Sequence, residues 1–435
     1  MKPEGDRPGP RVTPRAYATA ELSGLGGYLK ARPEDFLVDE IPLYHPCGSG
    51  EHIYMLVQKR GLSTMEMVRI VARHFGVSRA AVGYAGLKDK AAITRQVVSV
   101  HTPGKTYRDY PMLEHESVQV LWADMHANKL RPGHLKGNRF SVRLRGVEPT
   151  GVRTAKAVLD RLRVIGVPNR VGEQRFGLLE NNHLVGRALV LGDFEGAARE
   201  LLGPSPEHPE MNPEARALFA EGRYREAILK YPPGARTEMI VLNGLAQGLD
   251  ARGAFMRLDE PVLRYYLSAF QSAVFNDVLD ARVGEGTLGV LRVGDVAFKH
   301  ANGAVFAVDE GTLAEASTAA RLAGFEISPS GPMWGASMPE ATGETGRVEQ
   351  EALGRLGVTR EALAAFDLRA RGTLEGKRRP LRVPLIDPEV EGGVDEHGAY
   401  VRCAFELPRG SFATVVMREV MKPARERDAD AEEGS

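Results

Sequence analysis

The chain is predicted to be an α+β protein, strand-rich towards both ends and helical in the middle. Three observations predict this. Within residues 27–100, short apolar runs of strand length surround one well-punctuated helix. Beyond Gly166 the texture turns helical, and near Arg382 strand character returns. At 435 residues the chain suits two domains, or one with a large insertion, and its 43% hydrophobic content can fill a core.

Residues 36–41 and 53–57 read as strands. Residues 61–76 read as a helix, because Ser63 and Glu66 form a capping box, Met67, Ile70, Val71 and Phe75 recur at helical spacing, and Gly76 fits the position just past the end. Residues 82–85 follow, then a polar loop over 86–90 and a strand over 96–101. Residues 139–145 alternate: Phe140, Val142 and Leu144 point one way, and Arg139, Ser141, Arg143 and Arg145 the other. A helix is predicted over 152–165, with others near 183–202, 216–230, 261–283 and 348–366. A Pro-rich connector is expected over 203–213 and a Gly/Pro-rich stretch over 328–346. Asn302-Gly303 between two apolar runs predicts a hairpin over 296–308. Tyr400 to Leu407 is the clearest late strand.

The formal charge is zero and the pI about 7.2, so an argument for nucleic acid must rest on where charge sits. Two cysteines, Cys47 and Cys403, fit no zinc spacing and read as free thiols of a reducing compartment. The first twenty residues lack the apolar core of a signal peptide, and no run approaches the ~18 apolar residues of a membrane span. A soluble, cytoplasmic monomer is expected. The N-terminal arm, residues 1–19, and the tail from Lys422, including 426–435, are expected to be disordered. Residues 284–289 spell G-x-G-x-x-G, but a helix precedes and a strand follows, the reverse of a dinucleotide site. Residues 372–377 miss the phosphate-loop spacing. Eleven histidines show no metal spacing. No cofactor and no metal are expected.

The most informative segment is Gly83-Tyr84-Ala85-Gly86-Leu87-Lys88-Asp89-Lys90-Ala91-Ala92-Ile93-Thr94-Arg95-Gln96. It offers one carboxylate in a glycine-entered loop between two lysines. Nearby positive charge favours the ionised, nucleophilic carboxylate and attracts a phosphate backbone. Alone, it would more readily describe a solvated turn. Yet G-x-K-D followed by A-x-T-x-Q resembles the signature of the TruD family of pseudouridine synthases. Four more blocks resemble that family in the same order. They are Lys30-Ala31-Arg32-Pro33-Glu34-Asp35-Phe36, Lys136-Gly137-Asn138-Arg139-Phe140, Gly172-Glu173-Gln174-Arg175-Phe176-Gly177, and Gly410-Ser411-Phe412-Ala413-Thr414 with Arg418-Glu419.

The resemblance implies a cofactor-free enzyme that isomerises uridine to pseudouridine in tRNA, at position 13 of the D-arm in short bacterial members. It implies an α+β catalytic domain with a mostly antiparallel sheet, residues 20–166 and 373–425, and an inserted family-specific α+β domain, residues 167–372. It makes Asp89 the catalytic residue, places Phe36 and Phe412 around the target uracil, and gives Asn138 a directional hydrogen bond to the base or to the catalytic loop. Lys30 is a candidate charge partner of Asp89. Lys88, Lys136, Arg139, Phe140 and Arg143 are candidate charge partners or RNA contacts. Two basic runs add weight: Lys129, Arg131, Lys136, Arg139, Arg143 and Arg145 without an acid, and Arg369, Arg371, Lys377, Arg378, Arg379 and Arg382 against Glu375 alone. Competing readings are the same chemistry at another tRNA position or on several RNAs, and a non-catalytic RNA-binding or chaperone protein of the same fold.

Overall fold

The computed structural model describes residues 16–366 and 374–422. The chain forms two compact units. Among the described residues, one, the split unit, comprises Thr19–Val167 and residues 383–422; the other, the middle unit, comprises those of Pro168–Arg382 with residues 16–18. The fold class is α+β in both.

In the split unit an eight-stranded sheet is built from β1 (Phe36–Pro42), β2 (His52–Arg60), β3 (Val82–Tyr84), β4 (Ile93–His101), β5 (Val118–His126), β6 (Leu135–Arg145), β7 (Ile386–Asp395) and β8 (Gly398–Pro408). The order is β7-β8-β6-β1-β4-β2-β5, with β3 added on β4. Every pairing is antiparallel except β1 with β4. Helix α1 (Thr64–Phe75) starts at the predicted capping box and stops at Gly76, whose φ of 65° suits glycine. It buries Met67, Val68, Val71, Ala72 and Phe75 against Ile53, Met55, Val57, Val98 and Val100. Helices α2 (Val152–Ile165) and α3 (Ala413–Met421) complete the unit.

Strand β6 alternates as predicted, with Phe140, Val142 and Leu144 buried. Its opposite face is not a free cationic surface. Arg139 pairs with Glu389 and Glu406, and Arg143 pairs with Asp395 while lying 4.7 Å from the Tyr400 ring. Arg145 is buried between two carboxylates. It donates to Asp35 Oδ1 at 3.1 and 2.7 Å, and to Asp395 Oδ1 and Oδ2 at 2.7 and 2.8 Å. These bonds fix the turn Pro33–Asp35 that launches β1.

Two glycines of the sequence blocks have a steric cause. A Cβ at Gly137 would lie 2.2 Å from the Leu407 carbonyl of β8. Gly410, at φ 79°, turns the chain between β8 and α3.

The middle unit is largely helical, from Asn182–Val190 to the 25-residue Glu260–Gly284. The hairpin is present as Val296–Lys299 and Val305–Ala307. The Gly/Pro-rich stretch begins in a fully buried strand, Ile327–Met333, which pairs with both Val296–Lys299 and Lys377–Pro380. The helix predicted over 348–366 is two, Gly343–Gly354 and Arg360–Ala365.

The domain limits also shift. Residue 373, Arg369 and Arg371 lie outside the described residues, as do 1–15 and the tail beyond Lys422. Residues 374–382 belong to the middle unit, and the chain re-enters the split unit at Val383. Of the second basic run, Arg378 is buried against Glu349, Arg379 donates to the Asn169 carbonyl and side chain, and Arg382 donates to Ser328 and the Leu322 carbonyl. These three guanidiniums serve packing rather than phosphate. Thr19 and Lys422, expected to be disordered, are ordered: Thr19 is buried, its hydroxyl donates to Glu419 at 2.7 Å, and Lys422 donates to it at 2.7 Å.

Replacing Arg145 with methionine would strand the Asp35 carboxylate inside the protein. Breaking such a pair costs about 3–5 kcal/mol, and urea unfolding of Arg145→Met should show a loss of that size. Asp395 is held well below the usual carboxylate range by its hydrogen bonds to Arg145. Its stabilisation is present above the ordinary aspartate value, ~4, and fades as pH falls below it. The difference in urea midpoint between wild type and Asp395→Asn should therefore be constant from pH 5 to 7 and shrink at pH 3.

Candidate active site

Strands β1 and β3 share one edge of β4 without meeting. Strand β3 pairs with Val98–Val100, and β1 pairs with Ile93–Arg95. The loop over residues 85–92 leaves the sheet at this gap. The backbone N–H of Val97, left without a strand neighbour there, donates to Glu40 Oε1 at 3.1 Å.

The register sets five polar side chains on one sheet face. Lys59 on β2 pairs with Thr94 on β4, and Thr94 with Val38 on β1. One step along the same face come Gln96, Glu40 and, paired with Glu40 across to β6, Asn138. Lys59, Thr94, Gln96 and Glu40 are buried. This is the face on which α1 packs, and it turns polar where the loop crosses it.

Gln96, Lys59, Glu40 and Asn138 of this floor, with Thr64 of α1, hold points on the loop. Gln96 Nε2 donates to the Gly86 carbonyl at 3.3 Å. Thr64 Oγ1, on the first turn of α1, accepts from the Lys88 N–H at 2.8 Å. Lys59 Nζ donates to the carbonyls of Leu62 and Asp89 at 2.6 and 2.8 Å. Burial pushes the Lys59 ammonium down to about 8, against the upward pull of the Asp89 carboxylate. Lys88 Nζ lies 2.7 Å from Glu40 Oε2 and donates to Asn138 Oδ1 at 2.6 Å.

Asp89 is thus fixed through its backbone, while its side chain remains about one-third exposed. Lys30 Nζ donates to its Oδ2 at 2.7 Å. Lys30 has a left-handed φ of 56°, and its ammonium lies 4.7 Å from the centre of the Phe36 ring. A non-glycine residue held there costs of order 1 kcal/mol and is characteristic of functional sites.

The structure therefore gathers Lys30, Phe36, Lys88, Asp89 and Asn138. It separates other candidates from them. Phe140 is buried between the Phe36 and Phe405 rings at 6.4 and 5.9 Å, as core. Lys88, within the gathered set, is buried and faces inward, so it is a charge partner and not an RNA contact. Arg139 and Arg143 are neutralised as described above. Lys136 is exposed, and its carbonyl accepts from the Arg409 N–H. Phe412, 36% exposed at the start of α3, makes no ring contact among the described residues. The block over 172–177 lies in the middle unit, where Phe176 packs in the core.

Sequence reading missed Glu40 and Lys59. The signal was there: each is a charged residue at an inward position of a strand, two steps beyond Val38 and Val57 respectively.

The profile of the family described as tRNA pseudouridine synthase D (TruD) matches residues 13–420. Proteins named tRNA pseudouridine synthase D from Geobacter metallireducens and Geobacter sulfurreducens are 43% and 45% identical, over 94% and 93% of this chain and 98% and 96% of theirs. One from Thermus thermophilus is 37% identical over 93% of this chain and 92% of its own. The crystal structure of a Methanosarcina mazei protein, titled a putative tRNA pseudouridine synthase D, superposes with a TM-score of 0.78 at 29% identity, covering 94% of this chain and 97% of that one. The chain belongs to the TruD family of tRNA pseudouridine synthases.

Proposed function

We propose that this pseudouridine synthase isomerises the uridine at position 13 of the tRNA D-arm, with Asp89 as its nucleophile. The observation that carries the assignment is the anchoring of Asp89. Two floor side chains, Lys59 and Gln96, and Thr64 of α1 hold the loop backbone around it, while its carboxylate stays accessible beside the Lys30 ammonium. A carboxylate fixed in this way loses little freedom on reaching the reacting atom. The reaction breaks N1–C1′, turns the uracil and joins C5 to C1′; the C5 hydrogen leaves as a proton and N1 gains one.

A uridine within folded RNA must leave its stack, at a cost of a few kcal/mol. Phe412, exposed at the head of α3, and Phe36, beneath the Lys30 ammonium, are the rings proposed to receive it. The position-13 assignment rests on the resemblance to short bacterial members. The split unit is proposed to be the catalytic domain and the middle unit the family insertion. The enzyme is proposed to work as a cytoplasmic monomer.

Asp89→Asn should bind tRNA with near wild-type affinity, yet release no tritium from tRNA labelled at uridine C5. Substantial release would remove Asp89 as nucleophile. Carbodiimide-adduct mapping of tRNA from a deletion strain, with and without the gene restored, should place the modification at position 13.

Lys59→Met would free the Asp89 and Leu62 carbonyls together. Misplacement of a catalytic group by ~1 Å costs about 10²-fold, and kcat should fall by that order while the melting transition stays cooperative. The folded-state value of Lys59, about 8, lies below the ordinary lysine value of ~10.4. Between these limits the unfolded chain keeps a proton that the folded chain has released. Wild-type stability should therefore rise from pH 8 to 10 relative to Lys59→Met in urea titrations.

A further inference from the structure

Lys88 stands next to the proposed nucleophile, but its ammonium does not face substrate. Its side chain is 4% exposed and that of Glu40 1%. Glu40 is engaged on both sides, by the Val97 N–H through one oxygen and by Lys88 through the other. The Lys88 N–H is held by Thr64. The ammonium therefore sits at a fixed place, and there it meets Asn138 Oδ1 at 2.6 Å.

An ammonium can only donate. A carboxamide beside it must turn its oxygen inward, whatever else the site contains. Asn138 is half-buried, and its Nδ2 has no partner among the described residues. The side chain consequently presents N–H donors and no acceptor to whatever enters.

We infer that Glu40 and Lys88 are positioning residues that lock the Asn138 carboxamide as a donor, so that it reads a carbonyl oxygen of the target uracil. This rests on the reading of Asp89 and Asn138 given above, and it deepens that reading. A uracil ring carries two such acceptors, O2 and O4. A freely rotating asparagine would accept from a ring N–H or an exocyclic amine equally well. The locked one cannot.

The test uses the full chain and tRNA carrying a single 2-thio- or 4-thiouridine at the target position, since sulfur is a poor acceptor. Product is followed by nucleoside chromatography. The variant is Glu40→Gln/Lys88→Met, in which the new carboxamide oxygen at position 40 can still accept from the Val97 N–H and no buried charge is left alone. Its melting curve shows whether the fold survives; if it does not, Asn138→Asp replaces it, because a carboxylate still pairs with Lys88 but offers the base only an acceptor.

In wild type one thio substitution should slow the reaction about tenfold and the other should not. In the variant the unmodified substrate should be slowed to a similar degree, and the thio penalty should vanish. A penalty of equal size in wild type and variant, or none in wild type for either analogue, overturns the inference. Loss of all product from wild type on unmodified tRNA would instead overturn the proposed activity, so the two failures are distinguishable.

Discussion

The loop that carries Asp89 depends on a gap in a β-ladder. Two strands dock on the same edge of β4 and stop short of each other, which leaves the Val97 N–H without a backbone acceptor. An unpaired buried amide costs about 1–3 kcal/mol. Glu40 satisfies it with a carboxylate, and a buried carboxylate in turn requires a cation. Lys88 is that cation, and Lys88 adjoins Asp89. The position of Asp89 thus follows from an unmet hydrogen bond in the sheet beneath it.

This arrangement is a poor way to gain stability. Removing two charges from water costs several kcal/mol each, and apolar replacements of buried pairs are often neutral or stabilising. The floor also carries Lys59, Thr94 and Gln96 in full burial. What the polar floor supplies is a unique geometry, because each donor admits few partners. An apolar floor would let the loop slide. The stability of the unit comes from elsewhere, from the apolar packing of α1 on the sheet.

Local pattern made some of this legible and distance hid the rest. The limits of α1 could be read from Ser63, Glu66 and Gly76, because capping is decided within a few residues. The Asp89 loop was legible through its motif. The basic run of β6 was misread as phosphate-facing because Glu389, Asp395 and Glu406, which neutralise it, lie some 250 residues further along the chain. The strand Ile327–Met333 was hidden by its own composition. Its sequence, ISPSGPM, reads as a loop, yet all seven residues are buried between two neighbouring strands. Asn138 and Lys88 were both visible as residues, but their contact was not.

The cover over Phe36 also bears on how a base would enter. The Phe36 ring is 2% exposed and covered by the Lys30 ammonium at 4.7 Å from its centre. A uracil stacking on that ring must displace the ammonium. A cation over an aromatic face is worth about 0.5–1 kcal/mol where solvent reaches it, whereas stacking a base recovers about 1–3 kcal/mol. The exchange favours the base, provided Lys30 keeps its bond to Asp89. One long side chain can do both, because its four methylenes let the ammonium swing off the ring while staying within reach of the carboxylate. On the proposed reading, Lys30 shields the ring until RNA arrives and remains the partner of Asp89 afterwards. The left-handed backbone at Lys30 aims the side chain at both.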